Sequence, residues 1–278
     1  AAARASAIPL KGGRAVDRAP PRCSTVRMNR LNGIKLSPVH LVIAVICTFG
    51  LFFFMALIRQ PVVDVDEAVY LYLSENMTWW FSGYSTRGSA LDDALPQALY
   101  SAPVFHHPPL VPYLIKILSF AGPENGAKTL NLGLYLLSLP LVFSLARRFS
   151  DLRGASIALI LWAACPILHL EGRLVHLDFP CTVLYLAGTW LYLESARRPR
   201  PRLWLGLAGL VFAAAMLTKY TAPLFAGIPA LLFLADRVRR RNLRDWAVFG
   251  GTAAIGFAWW FFILLRFGSL SPAEFIDD

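Results

Sequence analysis

Charge is what this sequence has least of. Asp, Glu, Lys and Arg together make up 16% of its 278 residues, against 56% hydrophobic residues and a mean hydropathy of +0.53. That is too little polar surface to cover a water-soluble globule of this length. Strand-and-helix alternation of the kind that builds a nucleotide-binding sheet is also lacking. The "DVD" at 64–66 is therefore not read as the Asp-x-Asp that holds a metal-bound nucleotide sugar in soluble transferases. The four cysteines, Cys23, Cys47, Cys165 and Cys181, show neither metal-ligand spacing nor a disulfide framework, and are expected to act as small apolar packers. No tandem repeat recurs at a fixed period.

What is present is apolar and comes in blocks. "PVHLVIAVICTFGLFFFMALI" (38–58) carries no acid, Lys or Arg, over roughly the length that crosses a hydrocarbon core of about 30 Å as a helix. Further blocks at 128–146, 155–170, 179–193, 203–217, 221–235 and 246–265 are edged by Pro, Gly and aromatic residues, as suits interfacial ends. The expectation is an all-α, polytopic transmembrane helical bundle of about seven spans. "HHPPLVPYLIKILSFAG" (106–122) is too short after Pro109 for a crossing and is interrupted by Pro112 and Lys116. It is predicted to lie as an amphipathic helix in the outer interface.

A net charge of +10 invites a nucleic-acid partner, so the placement of the charge matters more than its sign. Eight cations fall in 1–37, three in 147–153, four in 197–202 and five in 236–244, which is twenty of the twenty-seven. Clustering of Lys and Arg in alternate loops is what the positive-inside rule produces, and it makes nucleic-acid binding the weaker reading. These four segments are assigned to the cytoplasm. The outer side then receives the loop 59–127, the short loop 171–178, the turn at Lys219 and the C-terminus. Residues 1–37 are expected to be a disordered basic cytoplasmic tail, with the remnant of a targeting peptide as the alternative. Residues 38–266 are expected to be a catalytic module, and 267–278 the start of another outer loop in a truncated chain.

The outer loops collect the chemistry-bearing residues. Just past the first span come Asp64, Asp66 and Glu67; "EGRLVHLD" adds Glu171, Arg173, His176 and Asp178, and "LTKY" adds Lys219. Asp64 or Asp66 is a candidate cap for the helix that "EAVYLYLSENM" should form. One cap does not use three acids, which turns attention to the Asp66–Glu67 pair. His106 and His107 are read either as metal ligands or phosphate donors, or as turn residues before Pro-Pro. Trp79, Trp80 and Tyr84 are read as interfacial anchors ahead of sugar-stacking platforms, and His40 and His169 as structural. "NMT" at Asn76 is a glycosylation sequon on the outer side.

In order and spacing, "DVDEAVYLY", "HHPPL", "GRLVHLDFP" and "LTKYTAP" resemble the polytopic glycosyltransferases of the C superfamily. The likeness is greatest to the protein O-mannosyltransferases and to their bacterial relatives that transfer aminoarabinose to lipid A. The "TKY" turn departs from the "TKG" of the lipid A enzymes. The resemblance implies a sugar taken from a polyprenyl-phosphate carrier and passed, with inversion, to an acceptor at the periplasmic or lumenal face of a bacterial inner membrane or endoplasmic reticulum. It makes Asp66, Glu67 and Asp178 the catalytic acids, and places His107 and Lys219 at the substrate.

Chemistry argued from the residues leads the same way. Transfer to a hydroxyl needs a carboxylate to take the acceptor's proton, and Asp66 is the candidate general base. The leaving lipid phosphate needs cations, which Lys219 and Arg173 supply. Asp64, Glu67 or Asp178 is then available to orient the nucleophile or to ligate a divalent cation such as Mg or Mn through oxygen. The competing classes are a polytopic transporter, disfavoured because the later spans hold almost no charge between their ends, and a non-catalytic subunit that binds a lipid head group through Arg173 and Lys219.

Overall fold

The computed structural model describes residues 37–59, 61, 64–79, 84–86, 89–91, 108–219, 221, 227–228, 231 and 242–267. The basic tail up to residue 36, Trp80, His106, His107, most of the expected span 221–235 and the C-terminal segment from 268 lie outside the described residues.

Helices make up the fold among the described residues. In chain order they are α1 (Pro38–Ile58), α2 (Val65–Asn76), α3 (Leu110–Leu118), α4 (Pro123–Phe149), α5 (Leu152–Ala163), α6 (Pro166–Arg173), α7 (Asp178–Ser195), α8 (Pro201–Met216), α9 (Leu243–Ala254), a 3-10 turn (Ile255–Phe257) and α10 (Ala258–Phe267). Proline opens α4, α6 and α8, where its missing N–H has no intrahelical partner to lose. Side-chain caps start others: Asp151 accepts from the Gly154 N–H at 2.9 Å before α5, and Asn242 from the Asp245 N–H at 3.0 Å before α9.

The all-α expectation holds, but seven unbroken spans are not what the helices show. α4, at 27 residues, is long and apolar enough to cross a membrane alone, and α5 with α6 passes only as a pair bent by 49°. The block 155–170 is divided because Pro166 offers no N–H to continue the α5 ladder. The break falls at Ala164 and Cys165, whose N–H groups turn back to Ile160 and Trp162. The block 246–265 is likewise interrupted by the 3-10 turn, and α8 and the Val42–Ala56 part of α1 are shorter apolar helices. The short α3 sits where an interfacial helix was expected.

Three apolar clusters join these elements. Phe54 and Ile58 of α1 pack with Tyr135 and Leu141 of α4 and Phe179 and Val183 of α7. Tyr185 and Tyr192 of α7, Leu205 and Phe212 of α8, and Phe249 of α9 form a second group. α8 and α9 approach at Gly209, where a Cβ would meet Thr252 Oγ1 at 2.0 Å and the Phe249 carbonyl at 2.5 Å. Only a residue without a side chain lets the two backbones come that close. Many large apolar side chains point outward, among them Phe49, Phe52, Leu161 and Ile167.

Contacts at the helix ends fix the polarity of the bundle. Arg148 at the end of α4 pairs with Glu194 at the end of α7, Arg198 reaches the same carboxylate at 3.2 Å, and Arg202 of α8 meets Asp245 of α9 at 3.0 Å. These cations belong to the basic segments. At the start of α4, Asn131 donates from its buried amide to the Leu174 carbonyl at 3.0 Å. α7 begins beside that loop and runs in the same direction as α4, so 18 residues, or about 27 Å of helix, separate Asp178 from the basic end.

Candidate active site

Asp64 is held extended (φ −106°, ψ 145°) before α2, and its Oδ1 accepts the Asp66 N–H at 3.0 Å. Glu67 reaches back to accept the Asp64 N–H on Oε2 at 3.1 Å, completing a capping box. The same carboxylate extends further, with Oε1 accepting the Val175 N–H at 2.9 Å. Glu67 is 3% exposed, and its carboxyl group is held by backbone amides from two parts of the chain. The cap thus draws on Asp64 and Glu67 together. The half-buried Asp66 is the one acid of the three that stands outside the box.

Glu67 draws the loop after α6 against α2, and that places His176 beside the acids. The Nε2 of His176 stands 3.6 Å from Asp64 Oδ2, while Nδ1 pairs with Glu171 Oε2 at 3.1 Å. One ligand atom each from Asp64, Asp66 and His176 lie within 4.8 Å of one another. Sequence reasoning placed His176 and Glu171 on the outer face without giving either a role, and no motif spacing marks them. Arg173, the last residue of α6, is half-buried and forms no ion pair among the described residues.

Two residues past His176, Asp178 opens α7 and accepts from Lys219 Nζ at 2.5 Å. Lys219 follows a turn closed by the Leu217 N–H to Ala213 (3.0 Å) and by the buried Thr218 hydroxyl to Ala215. The Leu217 carbonyl in turn accepts the Leu110 N–H at 3.2 Å. This bond ties the segment after the two histidines to the lysine turn, and Pro108 and Pro109 of that segment are buried. His107 itself lies outside the described residues.

One apolar floor lies beneath all of this. It is built from Val69 and Leu73 of α2, Val111 and Ile115 of α3, Val175 and Leu177 of the loop, and Trp259 of α10, with Leu217 against it. The first-loop acids and the Asp178–Lys219 pair therefore share one end of the bundle, opposite the Arg148–Glu194 end. A cavity of about 350 Å³ opens beside the lysine turn, lined by Pro109, Leu110, Tyr113, Leu217, Trp259 and Phe262.

The described aromatic residues of the first loop pack against the protein itself. Trp79 stacks on Tyr113 with ring centroids 5.5 Å apart, and the Tyr113 hydroxyl donates to the carbonyls of Thr78 and Trp79. Tyr84 is buried edge-on against Trp259, and burial pushes its hydroxyl well above the usual phenol range, so it stays protonated. His169 is buried, hydrogen-bonded through Nε2 to the Ala163 carbonyl at 2.7 Å and edge-on to Phe53. That is the structural role expected of it.

A family model described as dolichyl-phosphate-mannose-protein mannosyltransferase matches residues 106–263. The chain belongs to that family. No curated protein and no solved structure matches it. Membership makes this a protein of a membrane-associated glycosyltransferase family whose substrates are, in general, a lipid-linked sugar donor and an acceptor. The matched stretch takes in His107, Arg173, Asp178 and Lys219. Asp64, Asp66 and Glu67 precede it. Their link to the mannosyltransferase-family segment is physical, through Glu67 to Val175 and through His176 toward Asp64.

Proposed function

We propose that the chain is the catalytic module of a multi-pass membrane glycosyltransferase that moves a sugar from a polyprenyl-phosphate carrier to an acceptor hydroxyl on the outer or lumenal face. The observation that carries the reading is the family match over 106–263. The clustering of the first-loop acids with the Asp178–Lys219 pair, opposite the basic segments, supports it. So do the outward apolar side chains of α1, α5 and α6, which fit a lipid surface better than water. In this reading the bent α5–α6 pair is one span, and α9 with α10 is another.

Asp66 takes the acceptor's proton as the acceptor oxygen attacks the anomeric carbon. The bond from that carbon to the phosphate oxygen breaks, the configuration inverts, and the lipid phosphate leaves with its electron pair. Lys219, held by Asp178, and Arg173 neutralise the charge that grows on that phosphate. The apolar cavity beside Leu217 and Trp259 suits the first units of the carrier's tail. A protein, lipid or glycan hydroxyl serves as acceptor, in the bacterial inner membrane or the endoplasmic reticulum.

The test is to reconstitute the full-length protein and supply polyprenyl-phosphate sugars with candidate acceptors. A positioned general base contributes about 10²- to 10⁴-fold to the rate, so Asp66→Asn should lose transfer by that factor. Equal transfer by the two proteins removes Asp66 as base. Absence of transfer from every lipid-linked donor, together with solute flux across the vesicles, replaces the enzyme with a transporter.

A further inference from the structure

We infer that Asp64, Asp66 and His176 bind one divalent transition-metal ion, with Glu171 orienting the histidine. The argument starts from a distance that suits no direct contact. His176 Nε2 and Asp64 Oδ2 are 3.6 Å apart, beyond the roughly 3.2 Å at which N–H···O bonds end. Two ligands that each sit about 2.1 Å from one tetrahedral ion are separated by about 3.4 Å. The gap is that of two ligands sharing an ion.

A second observation concerns the ring itself. Nε2 is shielded from solvent and has no hydrogen-bond partner, which is costly for a buried polar atom. Nδ1, by contrast, is engaged by Glu171 Oε2 at 3.1 Å. A carboxylate that accepts from Nδ1–H fixes the tautomer and leaves the Nε2 lone pair facing Asp64. This is the carboxylate–histidine–metal arrangement that orients histidine ligands generally. Asp66 completes the set, since one ligand atom from each residue falls within the 4.8 Å span, and closing by about 1.4 Å gives a common centre.

The donor set also narrows the ion. One imidazole nitrogen with two carboxylates favours Zn²⁺, Mn²⁺ or Co²⁺ over Mg²⁺ and Ca²⁺, which prefer oxygen throughout. Three protein ligands leave a coordination position open. Two acids that the sequence offered as metal ligands are committed elsewhere, Glu67 to backbone amides and Asp178 to Lys219. Under the proposed function the open position takes a phosphate oxygen of the donor, and Asp66 keeps its second oxygen for the acceptor's proton. That use rests on the proposed function; the binding does not.

The experiment is metal binding by the full chain in detergent, stripped with chelator and titrated with Co²⁺ alone. The expected result is a visible d–d band that saturates at one equivalent and disappears when Zn²⁺ is added. His176→Ala and Asp66→Asn should each weaken Co²⁺ binding at least about 100-fold, and Glu171→Gln about 10- to 100-fold. No band in the wild type, or equal affinity in His176→Ala, overturns the site. If His176→Ala does not fold, Glu171→Gln carries the test, and unchanged affinity in that variant overturns it too. A protein that transfers sugar and takes up no Co²⁺ refutes this inference alone. One that binds Co²⁺ and transfers nothing refutes only the proposed function.

Discussion

Glu67→Ala should loosen the junction between the first loop and the loop before α7 while leaving the far end of the bundle intact. In the wild type, one carboxylate satisfies the Val175 N–H at 2.9 Å and the Asp64 N–H at 3.1 Å. A hydrogen bond to a charged group is worth about 1.5–3 kcal/mol, and an orphaned buried donor costs a comparable amount. Val175 is buried, so its N–H gains little from water. The half-exposed Asp64 N–H is resolvated more easily. Together the loss comes to about 3 kcal/mol, mostly at Val175, and at about 1.4 kcal/mol per tenfold it raises the local opening constant about 100-fold. Hydrogen exchange followed by mass spectrometry on peptides spanning 174–177 reads this directly, with peptides from the α7–α8 contact as the internal reference. Glu67→Gln should fall between, because the amide keeps one acceptor and turns an N–H toward the other donor. Asp64→Asn should leave the Val175 amide nearly as protected, since Asn also caps. An unchanged Val175 exchange rate in Glu67→Ala refutes the clamp.

Lys219→Met should abolish most sugar transfer, by about 10²- to 10³-fold for the loss of one group that stabilises developing charge. The thermal midpoint should hardly move, because the pair with Asp178 is half-exposed and such pairs contribute about 0–1 kcal/mol. Gly209→Ala should destabilise the bundle by about 1–3 kcal/mol through overpacking against Thr252 and Phe249, seen as a lower unfolding midpoint in detergent. Gly250→Ala, with nothing within 4 Å of the added Cβ, should stabilise its helix slightly. Asn131→Leu should cost about 1–3 kcal/mol, because the Leu174 carbonyl loses its buried donor.

The helical class and the position of the polar cluster were legible because both follow from counting. Apolar blocks with charge confined to their ends leave helices as the economical way to satisfy the backbone. The acids after the first block and the lysine after "LT" had to fall near helix ends. The breaks were less visible, since hydropathy windows average over a single proline. Pro166 was the available signal for the bend after α5. The Asp64-x-x-Glu67 spacing, that of a capping box, was a comparable sign that these two acids serve the helix start. Nothing in the spacing of Glu171 and His176 discloses their pairing. That depends on Glu67 reaching Val175 across the fold, a tertiary contact without local pattern.

The backbone bond from Leu110 to Leu217 has a further consequence when set beside the Glu67 clamp. Glu67 fixes the start of α2, and Lys116 Nζ donates to the Ser74 and Glu75 carbonyls at its end. The Leu217 carbonyl holds the start of α3, so the stretch between α2 and α3 is held on both sides. Its length can therefore be altered by design without disturbing where the acids and the lysine stand. Doubling such a tether costs only about 0.6 kcal/mol in closure entropy.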